Sequence, residues 1–480
     1  MSLIKSISGI RGTIGGKPGD NLTPVEIVKF SQAFGNYVIK NSAAVIKKED
    51  LTRSTVVIGR DSRASGQMIS DLISGTLTSL GINVIDLGQA ATPTVEMAII
   101  SEQAQGGIVI TASHNPQGWN ALKLLGAEGE FLSAEAGAEI LALAEQQVET
   151  YVPEEKIGTY FFNPYLEWSH IHQIAALPLV DKEEISRRDF KIVIDGINSI
   201  GAKAIPHTLE VLGVKQQIII NDTFDGNFSH QPEPLAENLG DIMARVKAEK
   251  ADLGIVVDPD VDRLAFIDEN GEMFGEEYTL VAIADYILEN FSVLDKSYPG
   301  KYDKATVSNL SSSRALRDVS FKHGASYEAA AVGEVNVVKK MKDIKAVIGG
   351  EGNGGVIYPA LHYGRDAMVG AALFLSALAK SGKKVSQMRR ELPEYFMVKD
   401  KLELKPGTDI KPLLERIKST YAGEQITDID GVKIDWEDSW LHLRASNTEP
   451  IIRIYSEART KTEARAKVEE IKANILSYIK

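Results

Sequence analysis

The chain has 480 residues, of which 44% are hydrophobic and 25% are charged, and its formal net charge is −13. This composition is typical of a folded globular protein, and the length predicts about three domains. The acidic balance argues against nucleic acid or an anionic membrane as a partner, because both attract basic surfaces. A phosphorylated small molecule stays open as a ligand, since it needs only local positive charge.

The chain contains no cysteine, which excludes disulfides, thiolate catalysis and zinc sites built on sulfur. No apolar run reaches the ~18 residues that a membrane-spanning helix needs. The most apolar segment, residues 368–379, is predicted to be a buried helix. The first residues lack the apolar core of a signal peptide, so we expect a cytoplasmic protein.

Strands and helices alternate along the first three-quarters of the chain. The elements predicted before residue 111 are a strand at 55–58, a helix at 65–80, a strand at 82–85, a helix capped by Thr92 with Pro93 at its first position, and a strand at 107–110. After a polar stretch at 151–164 come a strand at 191–194, a helix ending at Gly213, strands at 217–220 and 254–257, and a hairpin turn at Asn270-Gly271. Such alternation predicts βα units and mostly parallel sheets.

The last part of the chain has a different pattern. A third alternating block runs from about residue 276 to residue 391 and ends before Pro393. Three predicted strands follow at 432–435, 440–443 and 451–454, and then an amphipathic helix at 461–479. We therefore predict three α/β blocks, which could share a topology, and one small α+β block, although no internal repeat is visible in the sequence.

A small polar loop follows the predicted strand at 107–110. Residues 111–116 read Thr-Ala-Ser-His-Asn-Pro, and in open α/β sheets such loops at the carboxyl ends of strands bind ligands. The Ser113 hydroxyl is therefore a candidate nucleophile. A serine beside a histidine is common by chance, so this loop alone does not decide the function.

Three aspartates alternate directly after the buried strand at 254–257. If the loop is curled, Asp258, Asp260 and Asp262 can point into one concavity, and hard divalent cations prefer such oxygen ligands. A solvated acidic turn is the alternative, and the buried strand and the third aspartate favour the metal site. Protein oxygens alone leave an octahedral Mg²⁺ short of ligands, so a phosphate, for example on Ser113, would complete the shell.

The same aspartates also fall at the ligand spacing of an EF-hand loop if Glu269 is included. That interpretation fails on two counts. The position that requires glycine holds Arg263, and the flanking segments are predicted strands rather than helices. We therefore reject the EF-hand.

Residues 350–355 match the G-x-G-x-x-G pattern, but we do not interpret them as a dinucleotide site. Such a fingerprint must open a helix, whereas the following residues 356–359 are extended and end in proline. Glu351 and Asn353 alternate and could bind neighbouring sugar hydroxyls. A flexible glycine turn is the alternative of equal weight.

The loop at 444–450 offers a second anion site. Arg444 and the following Arg453, with loop hydroxyls and amides, provide the donors that a phosphate dianion needs, although a plain polar loop is the alternative. Arg11, between two glycines, is a weaker signal. The remaining histidines are interpreted as structural or surface residues: His170, His172, His207, His230, His323, His362 and His442.

Taken together, these motifs resemble the α-D-phosphohexomutase superfamily. Residues 9–12, 111–116, 258–263, 350–355 and 444–450 occur in the order of that superfamily and span the whole chain. The resemblance implies an α/β fold of three related domains with mixed, mostly parallel sheets. A fourth, α+β domain, similar to the TATA-binding protein, completes a central cleft. The expected domains are residues 1–155, 156–272, 273–393 and 394–480.

The resemblance also assigns roles to individual residues. Ser113 is similar to the superfamily's phosphoserine, with His114 beside it. Lys123, which follows Asn-Ala-Leu where the superfamily has Asn-Gly-x, matches a proposed general base. The residues that match positions near the transferring phosphoryl group are Lys123, Arg11 and Arg263. The implied Mg²⁺ ligands are Asp258, Asp260, Asp262 and the phosphate on Ser113. The implied substrate-binding residues are Gly333, Glu334, Glu351 and Asn353 at the sugar, and Arg444, Ser446, Asn447, Thr448 and Arg453 at the non-reacting phosphate.

The implied activity is the interconversion of hexose 1-phosphate and hexose 6-phosphate, with Mg²⁺ as cofactor and hexose 1,6-bisphosphate as intermediate and activator. Two cues to the sugar disagree. The Glu-x-Asn-Gly loop at 351–354 resembles phosphoglucosamine mutases, whereas the clamp at 446–450 resembles glucose and mannose enzymes. We favour glucosamine phosphate slightly, because the sugar loop contacts the hydroxyls that differ.

Two other functional classes stay open from the sequence. A phosphatase could use the same phosphoserine and release inorganic phosphate if its cleft admitted water. A binding protein without catalysis would need one of the charged loops to be broken, and none is. The expected partner is a phosphosugar, with neither nucleic acid nor a membrane, and the chain is expected to be a monomer or a homodimer.

Overall fold

The computed structural model describes residues 3–6, 9–42, 53–146, 151–405, 408–445 and 451–479. Within these residues the strands form four sheets, which follow one another along the chain. Two single 3₁₀ turns, Glu154–Lys156 and Ala236–Asn238, lie in connections. None of the described helices is both long enough and apolar enough to cross a lipid bilayer.

The first sheet is mixed, and its described strands are ordered β1-β2-β6-β5-β3-β4-β7. These strands are β1 Ile4–Ser6, β2 Gly9–Thr13, β3 Thr55–Arg60, β4 Asn83–Gln89, β5 Gly106–Ile110, β6 Trp119–Gly126 and β7 Tyr160–Phe162. The helices between them are α1 Pro24–Ser42, α2 Gly66–Ser79, α3 Thr92–Ser101 and α4 Ala134–Ala144. Strand β7 lies beyond the predicted domain limit at residue 155 and pairs with β4, so the first sheet extends to Phe162.

The second and third sheets have four described strands each, ordered β11-β10-β8-β9 and β13-β12-β14-β15. The strands are β8 Lys191–Asp195, β9 Gln216–Ile220, β10 Leu253–Val257, β11 Leu264–Ile267, β12 Asp303–Asn309, β13 Ser326–Ala330, β14 Ala346–Glu351 and β15 Gly355–Ile357. The helices of the second block are α5 Leu166–Ala175, α6 Lys182–Arg187, α7 Gly201–Val211 and α8 Gly240–Glu249. Those of the third are α9 Glu276–Glu289, α10 Phe291–Ser297, α11 Ala315–Lys322, α12 Glu334–Asp343, α13 Ala367–Ser381 and α14 Val385–Glu391.

One four-stranded unit recurs in these three sheets. If its strands are numbered along the chain, their order across the sheet is 2-1-3-4, and the fourth strand is antiparallel to the third. In the first sheet the unit consists of β3 to β6. The connection between the third and fourth strands therefore occupies the same place in each unit. These three connections carry residues 111–116, 258–263 and 352–354, so the shared topology relates the predicted motifs to one another.

The fourth sheet is antiparallel throughout its described strands, which are ordered β16-β20-β19-β18-β17. Its elements are β16 Phe396–Glu403, α15 Lys411–Thr420, β17 Gln425–Thr427, β18 Val432–Asp435, β19 Trp440–Ala445, β20 Ile451–Ala458 and α16 Lys461–Ile479. Apolar side chains of α16 pack on the inward side chains of β20, such as Ile452 and Ile454. This is the predicted α+β block.

Helix α13 is buried along almost its whole length, as its apolar sequence predicted. It contacts α5, α6 and α7 of the second block as well as α9 and β15 of the third. An apolar helix with no polar face is stable only where it is covered on all sides. The second and third blocks therefore share one large core around α13, and a smaller cluster covers the other face of each sheet.

One predicted helix start was wrong. Helix α3 begins at Thr92, but the residue in the N-cap position is Ala91, which provides no side-chain cap. The Thr92 hydroxyl instead donates to Asp260 Oδ2 at 2.7 Å. A buried carboxylate is a stronger hydrogen-bond partner than the backbone groups of the first helical turn. The Thr92 hydroxyl therefore binds Asp260 and does not cap the helix.

Candidate active site

Strand β5 is fully buried and leads directly into the serine loop. Ser113 is 6% exposed, and its φ of +46° lies in the left-handed region that few non-glycine residues adopt. Its backbone N–H donates to Thr111 Oγ1 at 2.9 Å. Such an uncommon backbone conformation persists where the surroundings impose it, and it is frequent at functional sites.

The surroundings that impose it are centred on Arg63, a residue that the sequence analysis missed. Its buried guanidinium donates to the carbonyl oxygens of Ser113 (2.7 Å), Asn115 (2.8 Å), Pro116 (2.8 Å) and Trp119 (2.9 Å). One planar guanidinium group thus fixes the backbone of the whole serine loop. The signal available in the sequence was its position directly after β3, at the carboxyl end of a parallel strand.

The aspartate loop lies against this serine. Ser113 Oγ donates to Asp258 Oδ2 at 2.7 Å, and oxygen atoms of Asp258, Asp260 and Asp262 lie within 4.8 Å of one another. All three carboxylates are at most 1% exposed. The loop curls because Val261 adopts a φ of +63°, a rare conformation for a β-branched residue. The expected convergence of the three carboxylates is therefore present in the structure.

Two observations bear on whether these aspartates could hold a metal ion. Asp260 Oδ1 and Asp262 Oδ1 are buried and make no hydrogen bond to any described residue. Burial, together with Asp262 and Asp260, raises the pKa of Asp258 well above its ordinary value. Unpartnered oxygens and accumulated negative charge fit a hard divalent cation such as Mg²⁺.

Lys123, on β6, closes the other side of the aspartate cluster. Its Nζ lies 2.7 Å from Asp260 Oδ2 and 3.5 Å from Asp262 Oδ2. Burial lowers the pKa of Lys123, but Asp260 and Asp262 outweigh it and raise this pKa above its ordinary value. The pKa of Asp260 shifts in the opposite direction. Burial raises it, but the charge and hydrogen bond of Lys123 lower it by more, so the net pKa of Asp260 is below its ordinary value. In this arrangement Lys123 is a cation that neutralises negative charge, and its role as a general base stays a prediction.

His114 and Arg263 form a second contact between the serine loop and the aspartate loop. Arg263 Nη2 donates to His114 Nδ1 at 2.9 Å, and the same Nδ1 lies 3.5 Å from Ser113 Oγ. Burial and the neighbouring cations Arg263 and Arg365 lower the pKa of His114 to about 3. His114 is therefore a neutral acceptor that orients Arg263 toward the serine.

Arg11 lies on the neighbouring strand β2, opposite Ala121 in register and so close to Lys123 along β6. Its Nε is buried and makes no hydrogen bond to any described residue, and burial lowers its pKa. A partly buried guanidinium whose Nε–H is free to donate is suited to an anionic ligand.

The sugar loop is a short hairpin turn, not the start of a helix, as predicted. Glu351 Oε1 accepts from Asn309 Nδ2 at 2.9 Å and from the backbone N–H of Gly333 at 3.2 Å. Asn353 Oδ1 accepts from the backbone N–H of Gly355 at 3.2 Å, which closes the turn. Two of the predicted sugar-binding positions, Glu351 and Gly333, are therefore in direct contact.

Arg365 connects this loop to the aspartates, and the sequence analysis missed it as well. Its guanidinium reaches Asp262 Oδ2 (2.7 Å), Glu334 Oε2 (2.8 Å) and Glu351 Oε2 (3.2 Å). Burial raises the pKa of Glu334 to about 7, although Arg365 opposes the shift. The available signal was an arginine directly before Asp366 at the start of an apolar helix. One guanidinium thus couples the predicted metal loop to both predicted sugar loops.

The predicted phosphate clamp is described only in part, because Ser446, Asn447 and Thr448 lie outside the described residues. Arg444 on β19 and Arg453 on β20 face each other in register. Like charges directly opposite each other destabilise a sheet unless an anion or another partner compensates them. Asp430 pairs with Arg444 at 2.8 Å and accepts from the backbone N–H of Val332, so this loop adjoins the sugar loops.

Family models match almost the whole chain. They are described as phosphoglucomutase/phosphomannomutase, alpha/beta/alpha domains I, II and III and the C-terminal domain, and they match residues 3–150, 169–271, 276–396 and 397–474. The model limits fall close to the four sheets of the structure.

Full-length relatives agree with the family models. The chain is 36% identical over 468 residues to a phosphoglucomutase/phosphomannomutase of Thermococcus kodakarensis, covering 95% of this chain and 96% of the relative. It is 32% identical over 489 residues to a phosphoglucosamine/phosphogalactosamine mutase of Sulfurisphaera tokodaii, covering 98% and 99%.

The fold matches solved structures as well. A phosphoglucomutase/phosphomannomutase family protein from Burkholderia thailandensis superimposes with a TM-score of 0.80 at 22% identity, covering 99% of this chain and 98% of the other. The chain therefore belongs to the phosphoglucomutase/phosphomannomutase family within the α-D-phosphohexomutase superfamily, and it is an isomerase that moves a phosphate group within a sugar phosphate.

Proposed function

We propose that this phosphohexomutase carries the transferred phosphoryl group on Ser113 and that its preferred sugar is glucosamine phosphate. The observation that carries the first part is the contact of Ser113 Oγ with Asp258 Oδ2 at 2.7 Å inside a buried carboxylate cluster. Phosphoryl transfer depends on positioning and charge neutralisation, and the serine has both within reach. The cations around it are Lys123, Arg11 and Arg263.

Asp258, Asp260 and Asp262 would hold Mg²⁺ next to the phosphate on Ser113. When bound, the ion neutralises charge that develops on the transferring phosphoryl group. The protein's own contribution is to fix the oxygens. Asp258 Oδ1 accepts the backbone N–H groups of Asp262 and Arg263, both at 3.1 Å, which holds its carboxylate in one orientation.

In the proposed reaction the phosphorus–oxygen bond to Ser113 breaks and a bond to O1 or O6 of the sugar forms. The sugar hydroxyl loses its proton and Ser113 Oγ gains one, so the serine ends as a free hydroxyl beside Asp258. The product is a hexose 1,6-bisphosphate, which must turn over in the cleft before its other phosphate returns to Ser113. Arg444 and Arg453 suit the phosphate that is not reacting, because they provide paired donors on the fourth sheet, whereas Ser113 follows a strand of the first.

The carboxyl groups of the sugar loops support an amino sugar. Glu334 and Glu351 share the Arg365 guanidinium, which also binds Asp262. Their oxygen atoms are acceptors for the ammonium group of glucosamine phosphate, which donates three hydrogen bonds. The relative named as a phosphoglucosamine/phosphogalactosamine mutase points the same way.

Glucose or mannose phosphate is the second candidate substrate. It is supported by the Thermococcus kodakarensis relative, which is 36% identical and is named for those sugars. The Ser-Asn-Thr-Glu-Pro sequence at 446–450 also resembles enzymes of that group. That loop would contact phosphate rather than the hydroxyls that differ between sugars, so it is weaker evidence for the preferred sugar than the sugar loops are.

The experiment is a comparison of three substrates. Glucosamine 1-phosphate, glucose 1-phosphate and mannose 1-phosphate are each supplied with Mg²⁺ and a catalytic amount of the matching 1,6-bisphosphate, and both hexose 6-phosphate and free phosphate are measured. We expect hexose 6-phosphate from all active substrates and the highest kcat/KM with glucosamine 1-phosphate. A higher kcat/KM with glucose or mannose phosphate would transfer the assignment to the second candidate. Release of free phosphate without hexose 6-phosphate would replace the mutase with a phosphatase.

A further inference from the structure

A second cluster of metal-binding side chains lies outside the active site. His170 comes from α5, and His362 and Asp366 come from the segment before and at the start of α13; all three are buried. From sequence, both histidines were interpreted only as structural or surface residues. The structure brings them together from positions almost two hundred residues apart.

The three side chains converge on one point. Asp366 Oδ2 lies 3.0 Å from His170 Nε2 and 3.3 Å from His362 Nε2, and all three atoms lie within 4.8 Å of one another. Ligands that bind a tetrahedral zinc ion at ~2.0–2.1 Å are themselves roughly 3.3 Å apart. The observed separations therefore match those of a ligand set as well as those of hydrogen bonds.

The outer nitrogen of His170 has a fixed partner. Its Nδ1 lies 3.1 Å from Thr94 Oγ1, an oxygen that can accept an Nδ1–H. In that tautomer the lone pair of Nε2 is directed at the point shared with Asp366 Oδ2, which is the arrangement of a metal-bound histidine with its outer hydrogen-bond partner.

The outer nitrogen of His362 has a comparable partner. Its Nδ1 lies 3.3 Å from Glu96 Oε2. Metal-bound histidines commonly donate their second ring nitrogen to a carboxylate or another fixed acceptor. Glu96 is fully buried, and neither its carboxyl oxygens nor His362 Nδ1 makes a hydrogen bond to a described residue. Burial raises the pKa of Glu96 well above its ordinary value, so its carboxyl group is an outer partner of the histidine rather than a full negative charge.

The carboxylate of Asp366 is held in a fixed orientation. Its Oδ1 accepts the backbone N–H groups of Met368 at 2.7 Å and Val369 at 3.1 Å, which caps α13. Only Oδ2 is left for the two histidines. The ligand atom is therefore positioned by the helix, independently of the imidazole rings.

We propose that His170, His362 and Asp366 form a buried site for a zinc-class divalent cation, with Thr94 and Glu96 as its outer partners. Mixed imidazole and carboxylate ligands favour zinc, whereas the all-oxygen aspartate cluster at Ser113 favours Mg²⁺. Bound metal joins α3, α5 and the start of α13. It also fixes residue 366, next to Arg365, which holds Asp262 and both sugar loops.

The test measures metal content in the whole enzyme. Protein produced with added zinc and purified without chelator is dialysed against excess Mg²⁺, and its zinc is measured by mass spectrometry. We expect about one zinc ion per chain, and at least a ~10-fold lower content in the His170→Asn/His362→Asn double variant. His172→Asn, an exposed histidine on the same helix, is the matched control and keeps the zinc.

Two further variants separate this site from the active site. Asp258→Asn/Asp260→Asn changes the predicted Mg²⁺ ligands and is expected to keep its zinc. Thr94→Val retains all three ligands but loses the acceptor for His170, so competition with a chromogenic chelator should report ~10- to 100-fold weaker zinc binding.

A measurement on the wild-type chain covers the case in which the histidine variants do not fold. Metal-free enzyme in saturating Mg²⁺ is titrated with Co²⁺, and we expect the visible bands of four-coordinate Co²⁺ to saturate near one equivalent. The proposal is overturned if the wild-type chain retains no zinc and develops no such bands, which would leave a hydrogen-bonded histidine pair. It is equally overturned if the double variant keeps its zinc.

Discussion

The connection between β10 and β11 and the turn between β14 and β15 occupy equivalent places in two sheets of the same strand order, yet they differ in length and chemistry. The first contains residues 258–263 and curls so that three carboxylates face inward. The second contains only residues 352–354, which is too short to curl. The fold therefore fixes where a loop lies, and loop length and residue type decide what it can bind.

Glycine residues allow the turn between β14 and β15 to lie directly against the end of the aspartate loop. Gly354 has a φ of +85°, and its carbonyl oxygen accepts the backbone N–H of Leu264 at 3.0 Å, directly after the aspartate loop. A Cβ at Gly354 would lie 2.4 Å from the backbone carbonyl oxygen of Leu264, so the two equivalent connections touch each other and only glycine fits at position 354. A Cβ at Gly352 would collide with the carboxyl group of Glu277 on α9.

The largest loss of activity is expected from a substitution in the remaining equivalent connection, between β5 and β6. Ser113→Ala removes the proposed phosphoryl carrier and should lower kcat by on the order of 10⁴-fold or more. Turnover of hexose 1-phosphate is the measurement. Ser101→Ala, an exposed serine, is the control and should be fully active. Substantial turnover by a well-folded Ser113→Ala variant would remove the serine from the mechanism.

The aspartate loop comes next. Asp258→Asn removes a charge from the cluster and from the contact with Ser113, and it should lower kcat ~100-fold or more, because metal-bound charge stabilisation is worth several kcal/mol. The Mg²⁺ concentration for half-maximal activity should rise. Asp252→Asn, exposed just before β10, is the matched control. An unchanged Mg²⁺ dependence would mean that Asp258 is not a ligand.

The coupling between the two connections can be tested at Arg365. Arg365→Lys keeps the charge but cannot reach Asp262, Glu334 and Glu351 together, so kcat/KM should fall ~10- to 100-fold. Arg317→Lys, a partly exposed arginine on α11, is the control. If Arg365→Lys retains wild-type kcat/KM and Mg²⁺ dependence, the loops act independently.

The smallest effect concerns the support beneath the short turn. Burial raises the pKa of Glu277 to about 8, against the opposing charge of Lys399. Between the ordinary glutamate value and about pH 8, the unfolded chain releases this proton while the folded chain keeps it, so stability falls as pH rises. The slope is at most ~1.4 kcal/mol per pH unit.

Glu277→Gln removes this ionisation and keeps an acceptor for the backbone N–H of Ser313. The difference in thermal midpoint, variant minus wild type, should therefore increase from about pH 5 to about pH 8. Unfolding is followed in parallel for both proteins across this range. Parallel curves would show that Glu277 ionises as it does in the unfolded chain.

The candidate site divides into residues that the sequence predicted and residues that it could not. Asp258, Asp260 and Asp262 were predicted because they alternate within one short segment, and their spacing after a buried strand nearly determines their geometry. Arg63 and Arg365 were missed because each acts on residues far away in the chain. Thr92 was assigned to a helix cap, since its local pattern is that of a cap and its true acceptor lies 168 residues away.

The sequence by itself determined the apolar strands, the buried helix α13, the α+β character of the last block and the identity of the loops that follow each third strand. Local periodicity and contiguous motifs carry that information directly. Only the tertiary structure decided that these loops are equivalent connections that meet at one place. It also decided which distant side chains satisfy their buried charges. The reason is that a buried carboxylate must find its donor wherever packing supplies one, and packing between distant segments leaves no periodic trace in the sequence.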